Sequence, residues 1–321
     1  MDITVIGCGR WGSLITWYLD HTGHRVTLYG RATSPRMQSF LATRQNDLLT
    51  LPPSVALSTD LPAALDGAET VIISIGSQGL RKLLTQPELQ TLRDRTVVLC
   101  MKGLEMGTGA RLSQIAAECL HPSNTVAVWL GPGHVQEFYR GIPNCMVIDS
   151  RREDVKRRLV QSFSSDLIRF YYGDDLIGNE VGAAAKNVVG IAAGFLDGKG
   201  LSSLKGALMS RGTREVARLI QAMGGSQLSA YGLCHLGDYE ATVFSRYSHN
   251  RQFGESFIRG ETYTDLAEGY YTVEALVLLG QRYGVELPIC RAVHDILYEQ
   301  AVPRDVLDGL LRRGLTEEFY D

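Results

Sequence analysis

The sequence predicts an α/β fold: an N-terminal Rossmann-like, doubly wound sheet over residues 1–176, followed by an all-α C-terminal domain over residues 177–321. Three observations lead there. A glycine-rich turn, Gly7-x-Gly9-x-x-Gly12, stands between an apolar strand and a helical pattern at the start of the chain. Strand-like and helical runs then alternate as far as Tyr172. Beyond Gly173 the strand signals fade and only helical runs remain. A length of 321 residues also exceeds one typical domain.

The elements follow in order. An apolar strand, Ile3 to Ile6, enters the glycine turn; a helix is expected from Ser13 to Asp20, and after Gly23 a second strand from Arg25 to Tyr29. This is a βαβ unit with its glycines at the first turn. Gly7 permits the tight turn, Gly9 lets the backbone approach a pyrophosphate, and Gly12 lets the helix pack close to the strand. Further strands are expected at Thr70–Ile75, Thr96–Met101, Thr125–Leu130, Cys145–Asp149 and Leu167–Tyr172. Helices at 78–84, 110–119 and 152–162 separate several of them, so the sheet should be largely parallel. The second half reads as helices at 178–196, 204–223, 265–283, 288–299 and 306–312, with Gly224-Gly225 and Gly284 as stops and Pro288 and Pro303 at starts. Gly173-Asp174-Asp175 reads as a tight connection. A site is expected in the cleft between the two halves.

Composition excludes several classes. Hydrophobic content of 45% and charged content of 21% are those of a globular protein, and a net charge of −3 gives no reason to expect nucleic-acid or membrane binding. No apolar stretch is long enough to span a bilayer without charge or turn residues. Because the chain opens directly on a strand, no signal peptide is expected, and the location is expected to be cytoplasmic. Six scattered cysteines, with no CxxC pair, point to buried thiols in a reducing compartment and to neither disulfides nor a metal site.

Lys186 is the residue that points to chemistry. It is the only charge between Val181 and Leu196, in a run of Ala, Gly and aliphatic residues that should be packed on most sides. Burying an ammonium is costly without partners, and desolvation lowers a lysine pKa toward the range suited to proton transfer. A lysine that snorkels to the surface is the alternative. Ligands of doubly wound sheets gather at the carboxyl ends of strands. Loops start there at Gly76-Ser77-Gln78, Met101-Lys102-Gly103 and Gly131-Pro132-Gly133-His134. Lys102 can meet a phosphate or a carbonyl there, or be an exposed loop lysine. In the second half, the loop His235–Tyr239 and the donor-rich loop Ser245–Gly254 carry candidate polar groups, the latter suited to a phosphate or else a solvated turn. At the end of the second strand stands Tyr29-Gly30-Arg31, with no carboxylate for the ribose hydroxyls of NAD. Arg31 can pair with a 2′-phosphate, so NADP is preferred over NAD, although Arg31 also reads as a solvated arginine.

Together these stretches resemble the NAD(P)-dependent glycerol-3-phosphate dehydrogenases of the bacterial type. The resemblance is carried in order by GCGRWG (7–12), MKG (101–103), GPG (131–133), NEVGAAAKNVVGIAAGFLDG (179–198), LMSRG (208–212), HLGDYEAT (235–242), SHNRQFG (248–254) and AEGYYT (267–272). It implies reduction of dihydroxyacetone phosphate by NAD(P)H to sn-glycerol 3-phosphate, for glycerophospholipid synthesis. By resemblance Lys186, Lys102 and Asp238 are catalytic. Lys102, Gly131, Gly133, Lys186, Asp238, Ser248, His249, Asn250 and Arg251 fall at the substrate. Gly7, Gly9, Arg10, Trp11, Gly12, Arg31, Lys102, Val135, His249, Leu266 and Glu268 fall at the cofactor. The chain departs from the family pattern in three places. His249 replaces an arginine that contacts phosphate and cofactor, with Arg251 or Arg246 as candidates to compensate. Gly133 replaces a Ser or Thr, and Ser203-Leu204 replaces an Asp-Asn pair.

The implied mechanism is direct hydride transfer, with protonated Lys186 stabilising and then protonating the carbonyl oxygen. The expected partner is a small phosphorylated substrate, and a homodimer is expected. Two other readings remain: a ketopantoate-reductase-like enzyme whose substrate carries a carboxylate, and a catalytically silent NADPH-binding protein.

Overall fold

The computed structural model describes residues 1–312 and 317–318. The chain divides into two compact units, one formed by Met1–Met101 with Leu112–Leu176 and the other by Lys102–Arg111 with Ile177–Asp321.

The first unit holds an eight-stranded sheet. Its elements in chain order are β1 (Asp2–Ile6), α1 (Arg10–His21), β2 (Arg25–Tyr29), α2 (Pro35–Thr43), β3 (Ala56–Ser58), α3 (Leu61–Leu65), β4 (Thr70–Ile73), α4 (Leu80–Leu84), α5 (Pro87–Gln90), β5 (Thr96–Leu99), α6 (Leu112–Cys119), β6 (Thr125–Leu130), α7 (Val135–Tyr139), β7 (Asn144–Ser150), α8 (Glu153–Phe163) and β8 (Ile168–Tyr172). The strand order is β3-β2-β1-β4-β5-β6-β7-β8. Every neighbouring pair is parallel except β6 with β7. Strands β4 and β5 are buried along their whole length, as a parallel sheet covered on both faces requires. The order reverses direction between β1 and β4, so the glycine turn after β1 opens at the switch point where such sheets bind ligands.

A large aromatic core lies under this sheet. Trp129 of β6 is 1% exposed and packs against Tyr18, Phe163 and Phe170. The Tyr18 hydroxyl donates to the carbonyl of Phe163, so the buried phenol is satisfied and α1 is tied to the end of α8. The cysteines at positions 8, 100, 119, 145, 234 and 290 are all free thiols.

The second unit is helical: α9 (Leu176–Gly198), α10 (Lys205–Ala222), α11 (His249–Arg259), α12 (Glu268–Tyr283), α13 (Pro288–Tyr298) and α14 (Pro303–Leu311). Helix α9 is buried from Gly178 through Leu196 and forms the axis of this unit. A surface helix would show one apolar stripe; α9 is apolar nearly all round and is packed accordingly. Among the described residues no helix is long and apolar enough to cross a membrane.

Two stretches read as loops are helical. Residues 249–259, expected to be a polar loop as far as Gly254, form α11. Ser248 is its N-cap, accepting from the backbone N–H of Arg251, and polar residues at a cap imitate a turn in sequence. Residues 235–244 form a short 3₁₀ turn, Leu236–Asp238, and a single π turn, Glu240–Phe244.

The turn after β1 is held by contact. A methyl group on Gly12 would lie 1.9 Å from the carbonyl oxygen of Gly7, and one on Gly7 2.2 Å from the carbonyl oxygen of Ser74. Gly12→Ala should therefore cost about 1–3 kcal/mol through overpacking. Thermal denaturation followed by circular dichroism should show a lower midpoint; an unchanged midpoint would contradict this packing.

Candidate active site

The dinucleotide end lies in the first unit. Helix α1 follows the N-cap residue Gly9, which offers no side-chain cap, so no capping side chain competes with an anion for the positive end of the helix. A methyl group on Gly9 would meet nothing nearer than Arg36 Nη1 at 3.9 Å, so open space lies where a pyrophosphate would approach. Trp11 Nε1 on α1 and Gln136 Oε1 on α7 are buried with no partner in the protein. An orphaned donor and an orphaned acceptor beside an uncapped helix start fit a polar ligand such as a dinucleotide. Arg10 begins α1, and Val135 begins α7 with its side chain 5% exposed, which leaves its backbone as the part to offer.

The end of β2 is closed to a carboxylate. A side chain at Gly30 would meet Cys8 Sγ at 2.8 Å and Met37 at 2.9 Å. Arg31 follows, exposed, and Arg36 comes from the first turn of α2. Arg36, which was not singled out in the sequence, is carried there by the start of α2 after its Ser34 cap. In the loop after β6, Gly131 and Gly133 adopt φ of +129° and +142°. A methyl group on Gly133 would lie 2.2 Å from the Phe138 ring. Phe138 therefore leaves no room for a side chain at this position.

The catalytic candidates lie in the second unit. Lys186 is 7% exposed on α9. Its Nζ lies 2.9 Å from Asp238 Oδ2 and donates to Thr242 Oγ1 at 2.8 Å. Asp238, fully buried at the end of the 3₁₀ turn, also accepts from Lys102 Nζ at 2.6 Å on the same Oδ2. Its Oδ1 is buried with no partner in the protein. One carboxylate thus holds two ammonium groups and keeps an acceptor open. Burial pushes the Lys186 pKa down to about 8; attraction by Asp238 opposes this and repulsion by Lys102 adds to it. The snorkelling alternative is excluded by this burial.

Lys102 is brought there by the short segment that follows β5. Its carbonyl accepts from Asn187 Nδ2 at 2.7 Å, Leu104 enters the helical core, and Arg111 pairs with Glu180 of α9 with both side chains buried. The carbonyl of Thr108 accepts from Arg282 of α12. The lysine is positioned through four anchors on the unit that carries Lys186.

A row of glycines explains how polar elements reach the α9 backbone. Gly182, Gly190, Gly194 and Gly198 continue the row of Lys186 at four-residue spacing, a ridge that winds gradually around the helix. A methyl group on Gly182 would lie 3.0 Å from His235, on Gly190 2.7 Å from Thr242, on Gly194 2.1 Å from the Arg251 carbonyl, and on Gly198 2.8 Å from Ile258. The signal was present in the sequence as Gly four residues before and after Lys186.

The remaining candidates separate. Asn250 donates to Asn187 Oδ1 at 3.1 Å and accepts from the Gly269 N–H at 2.9 Å, linking α11, α9 and α12. His249 Nδ1 lies 2.6 Å from the Tyr263 hydroxyl and 3.6 Å from Asp265 Oδ2. Arg251, a candidate to compensate for the missing arginine, is committed elsewhere. Its guanidinium pairs with Asp197 and Glu255 at 2.7 and 2.9 Å and bonds the Ser245 carbonyl. Arg246 bonds the Tyr247 hydroxyl on the surface. Leu266 is 54% exposed, and Glu268 opens α12. Thr242 and Asn187 were given no role from sequence, and His235 and Tyr239 were placed only in a loop of candidate polar groups, since what each does arises from long-range contacts.

A nucleotide-binding sheet with a helical unit carrying a buried lysine–carboxylate cluster defines a dinucleotide-dependent oxidoreductase. Comparison makes this specific. Residues 2–156 match the model of the NAD-dependent glycerol-3-phosphate dehydrogenase N-terminus, and residues 175–308 that of the C-terminus. The chain belongs to that family. It is similar to the glycerol-3-phosphate dehydrogenase [NAD(P)+] of Prosthecochloris aestuarii, at 33% identity covering 99% of this chain and 100% of the relative. It is also similar to that of Exiguobacterium sp., at 34% identity covering 99% and 97%. A crystal structure of glycerol-3-phosphate dehydrogenase from Coxiella burnetii superposes with a TM-score of 0.90 at 28% identity, covering 97% of this chain and 99% of that one. A 2-dehydropantoate 2-reductase from Methylococcus capsulatus reaches a TM-score of 0.62 at 16% identity, a likeness of fold alone.

Gly194→Ala should displace α11 from α9, because the contact is with backbone and no rotamer change relieves it. The expected result is a higher KM for the substrate with an unchanged KM for the cofactor; equal substrate KM in variant and wild type would contradict the role of this contact.

Proposed function

We propose that this protein reduces dihydroxyacetone phosphate to sn-glycerol 3-phosphate, reversibly, with NAD(P)H. The observation that carries the proposal is the cluster in which buried Asp238 holds buried Lys186 and partly buried Lys102. A nicotinamide cofactor, when bound, would supply the hydride that the ketone carbon receives. As the carbon–oxygen double bond opens, negative charge gathers on the oxygen, and an ammonium in a dry site stabilises it far better than water does. Lys186 hydrogen-bonds that oxygen and gives it a proton, so hydride and proton together convert ketone to alcohol. Lys102 adds positive potential. Asp238 keeps both cations in place through Oδ2, while Oδ1 accepts from a substrate hydroxyl. Thr242 accepts from Lys186 and donates to the Asp238 carbonyl, fixing the direction of the ammonium.

The phosphate is assigned to the start of α11, where Ser248 caps the helix and the dipole favours an anion. His249 offers less charge there than the family arginine, and Asp265 beside it opposes an anion. Gly7, Gly9 and Gly12 with the α1 start receive the pyrophosphate, Trp11 and Val135 flank it, and Arg31 with Arg36 receives a 2′-phosphate, which makes NADP the preferred cofactor. Leu266 and Glu268 complete the cofactor contacts. The substrate-side backbone is that of Gly131 and Gly133. The enzyme acts as a cytoplasmic homodimer supplying glycerophospholipid synthesis.

The test is steady-state NADPH oxidation with dihydroxyacetone phosphate. Lys186→Ala should retain cofactor binding and lose kcat by a factor on the order of 100–10,000. Near-wild-type kcat in that variant would remove the lysine from the reaction. With a Lys186 pKa of about 8, the ammonium form prevails below that pH. Reduction should thus be level below about pH 8 and decline above it, while oxidation of glycerol 3-phosphate should rise through the same region. Identical pH profiles in both directions would contradict the assignment. His249→Arg should lower the KM for dihydroxyacetone phosphate several-fold, roughly the worth of one charge-assisted hydrogen bond; an unchanged or higher KM would place the phosphate elsewhere.

A further inference from the structure

We infer that His235 and Tyr239 form a buried clamp that sets Asp238 at the height of Lys186 along α9, acting as positioning residues for the proton-transfer pair. The inference rests on the reading of Lys186 as the proton donor. Both side chains are fully buried. His235 Nδ1 lies 2.8 Å from the carbonyl oxygen of Gly182. A carbonyl only accepts, so Nδ1 carries the proton and Nε2 is the acceptor. The Tyr239 hydroxyl, 2.8 Å from Nε2, must then donate to it. Thr213 Oγ1 of α10, whose proton goes to the Met209 carbonyl at 2.8 Å, lies 3.5 Å from the same hydroxyl. Every polar atom of the two rings is thus accounted for with one tautomer, in a site where the imidazole is held neutral: burial pushes its pKa down to about 4.

The location matters more than the bonds. Gly182 lies four residues before Lys186, so its carbonyl is the one that accepts the Lys186 backbone N–H within the helix. His235 therefore grips the turn of α9 that carries the lysine. The absence of a Cβ at Gly182 is what admits the ring, since a methyl group there would lie 3.0 Å from His235 Cβ. Between His235 and Tyr239 runs the 3₁₀ turn, closed by the Asp238 N–H to the His235 carbonyl and the Tyr239 N–H to the Leu236 carbonyl. With both ends of the turn pinned by side chains, Asp238 has little freedom, and its Oδ2 is delivered to Lys186 and Lys102. Beyond the turn, the Tyr239 ring packs with Val189 and Ala193 of α9 and with Val243.

The clamp has a kinetic signature that mere structural support lacks. The charged groups acting on Lys186 are Asp238, which raises its pKa, and Lys102, which lowers it; the His235 ring is beside them and neutral. Near Tyr239 stand Glu215 and the Cys290 thiol. Loosening the clamp lets the carboxylate move away from Lys186, so the ammonium loses attraction and its pKa falls further. The decline of the reduction rate should then begin at lower pH.

The experiment is the pH dependence of kcat for NADPH-driven reduction of dihydroxyacetone phosphate by wild type, Tyr239→Phe, His235→Asn and His235→Ala. Tyr239→Phe removes one oxygen and keeps the ring, so it should fold. It should lower kcat about three- to ten-fold, the kinetic equivalent of one hydrogen bond. Its alkaline limb should move to lower pH, with the KM for NADPH unchanged. His235→Ala should do the same more strongly, and His235→Asn, which retains a donor near the Nδ1 position, should recover part of the loss. Wild-type kcat and an unmoved limb in Tyr239→Phe, whatever its thermal midpoint, would overturn the clamp. Absence of turnover by wild type would instead overturn the reading of Lys186.

Discussion

A single carboxylate oxygen, Asp238 Oδ2, accepts from two lysines in a buried site, and much of the helical unit is arranged around that contact. Two ammonium groups brought near each other repel, and each loses hydration on burial. Without that anion the desolvated Lys186 would release its proton more readily. With it, Lys186 remains an ammonium at neutral pH yet sits close to releasing its proton. Such clusters add little to stability over an apolar core, while removing one partner from a buried pair typically costs about 3–5 kcal/mol. The arrangement is therefore best understood as a constraint that chemistry imposes on the fold.

That constraint accounts for features that otherwise look unrelated. The glycine row of α9 lets the Asp238 turn, Thr242 and α11 approach the helix backbone. The buried Arg111–Glu180 pair and the Asn187 bond to the Lys102 carbonyl deliver the second lysine from a segment that follows a sheet strand. Asn250, Asn187 and the Gly269 N–H connect the starts of α11 and α12 to the same stretch of α9. The second ion network, Asp197 with Lys205 and Arg251, acts differently. It ties the end of α9 to α10 and α11 and withdraws Arg251 from any ligand.

The fold was largely legible because its signals are local. A strand, Gly7-x-Gly9-x-x-Gly12 and a helix lie within the first 21 residues, and the loss of strand pattern after Gly173 marks the change of class. Strand β3 escaped notice because three residues cannot display a period, and α11 because its polar cap reads as a turn. Lys186 stood out as a lone charge in an apolar run, a property visible without neighbours. A role for Asp238 beside Lys186 was expected only through the family resemblance, since residues 102, 186 and 238 meet only through tertiary packing. The departure at His249 was visible, but its consequence was not: only the structure shows that Arg251 is occupied and that His249 faces Tyr263 and Asp265. The position of Arg36 beside Gly9 and the bonds that link His235 to Tyr239 and Gly182 depend on tertiary packing in the same way.

The central claim is that Asp238 holds a desolvated Lys186 near its ionisation point. Lysine-selective ¹³C/¹⁵N labelling with NMR titration of the side-chain ε and ζ resonances measures this directly, with Lys186 assigned by its absence from a Lys186→Arg sample. The account predicts one lysine titrating at about pH 8 and moving lower in Asp238→Asn. A Lys186 resonance titrating above pH 10, or one indifferent to the loss of the Asp238 charge, would contradict it.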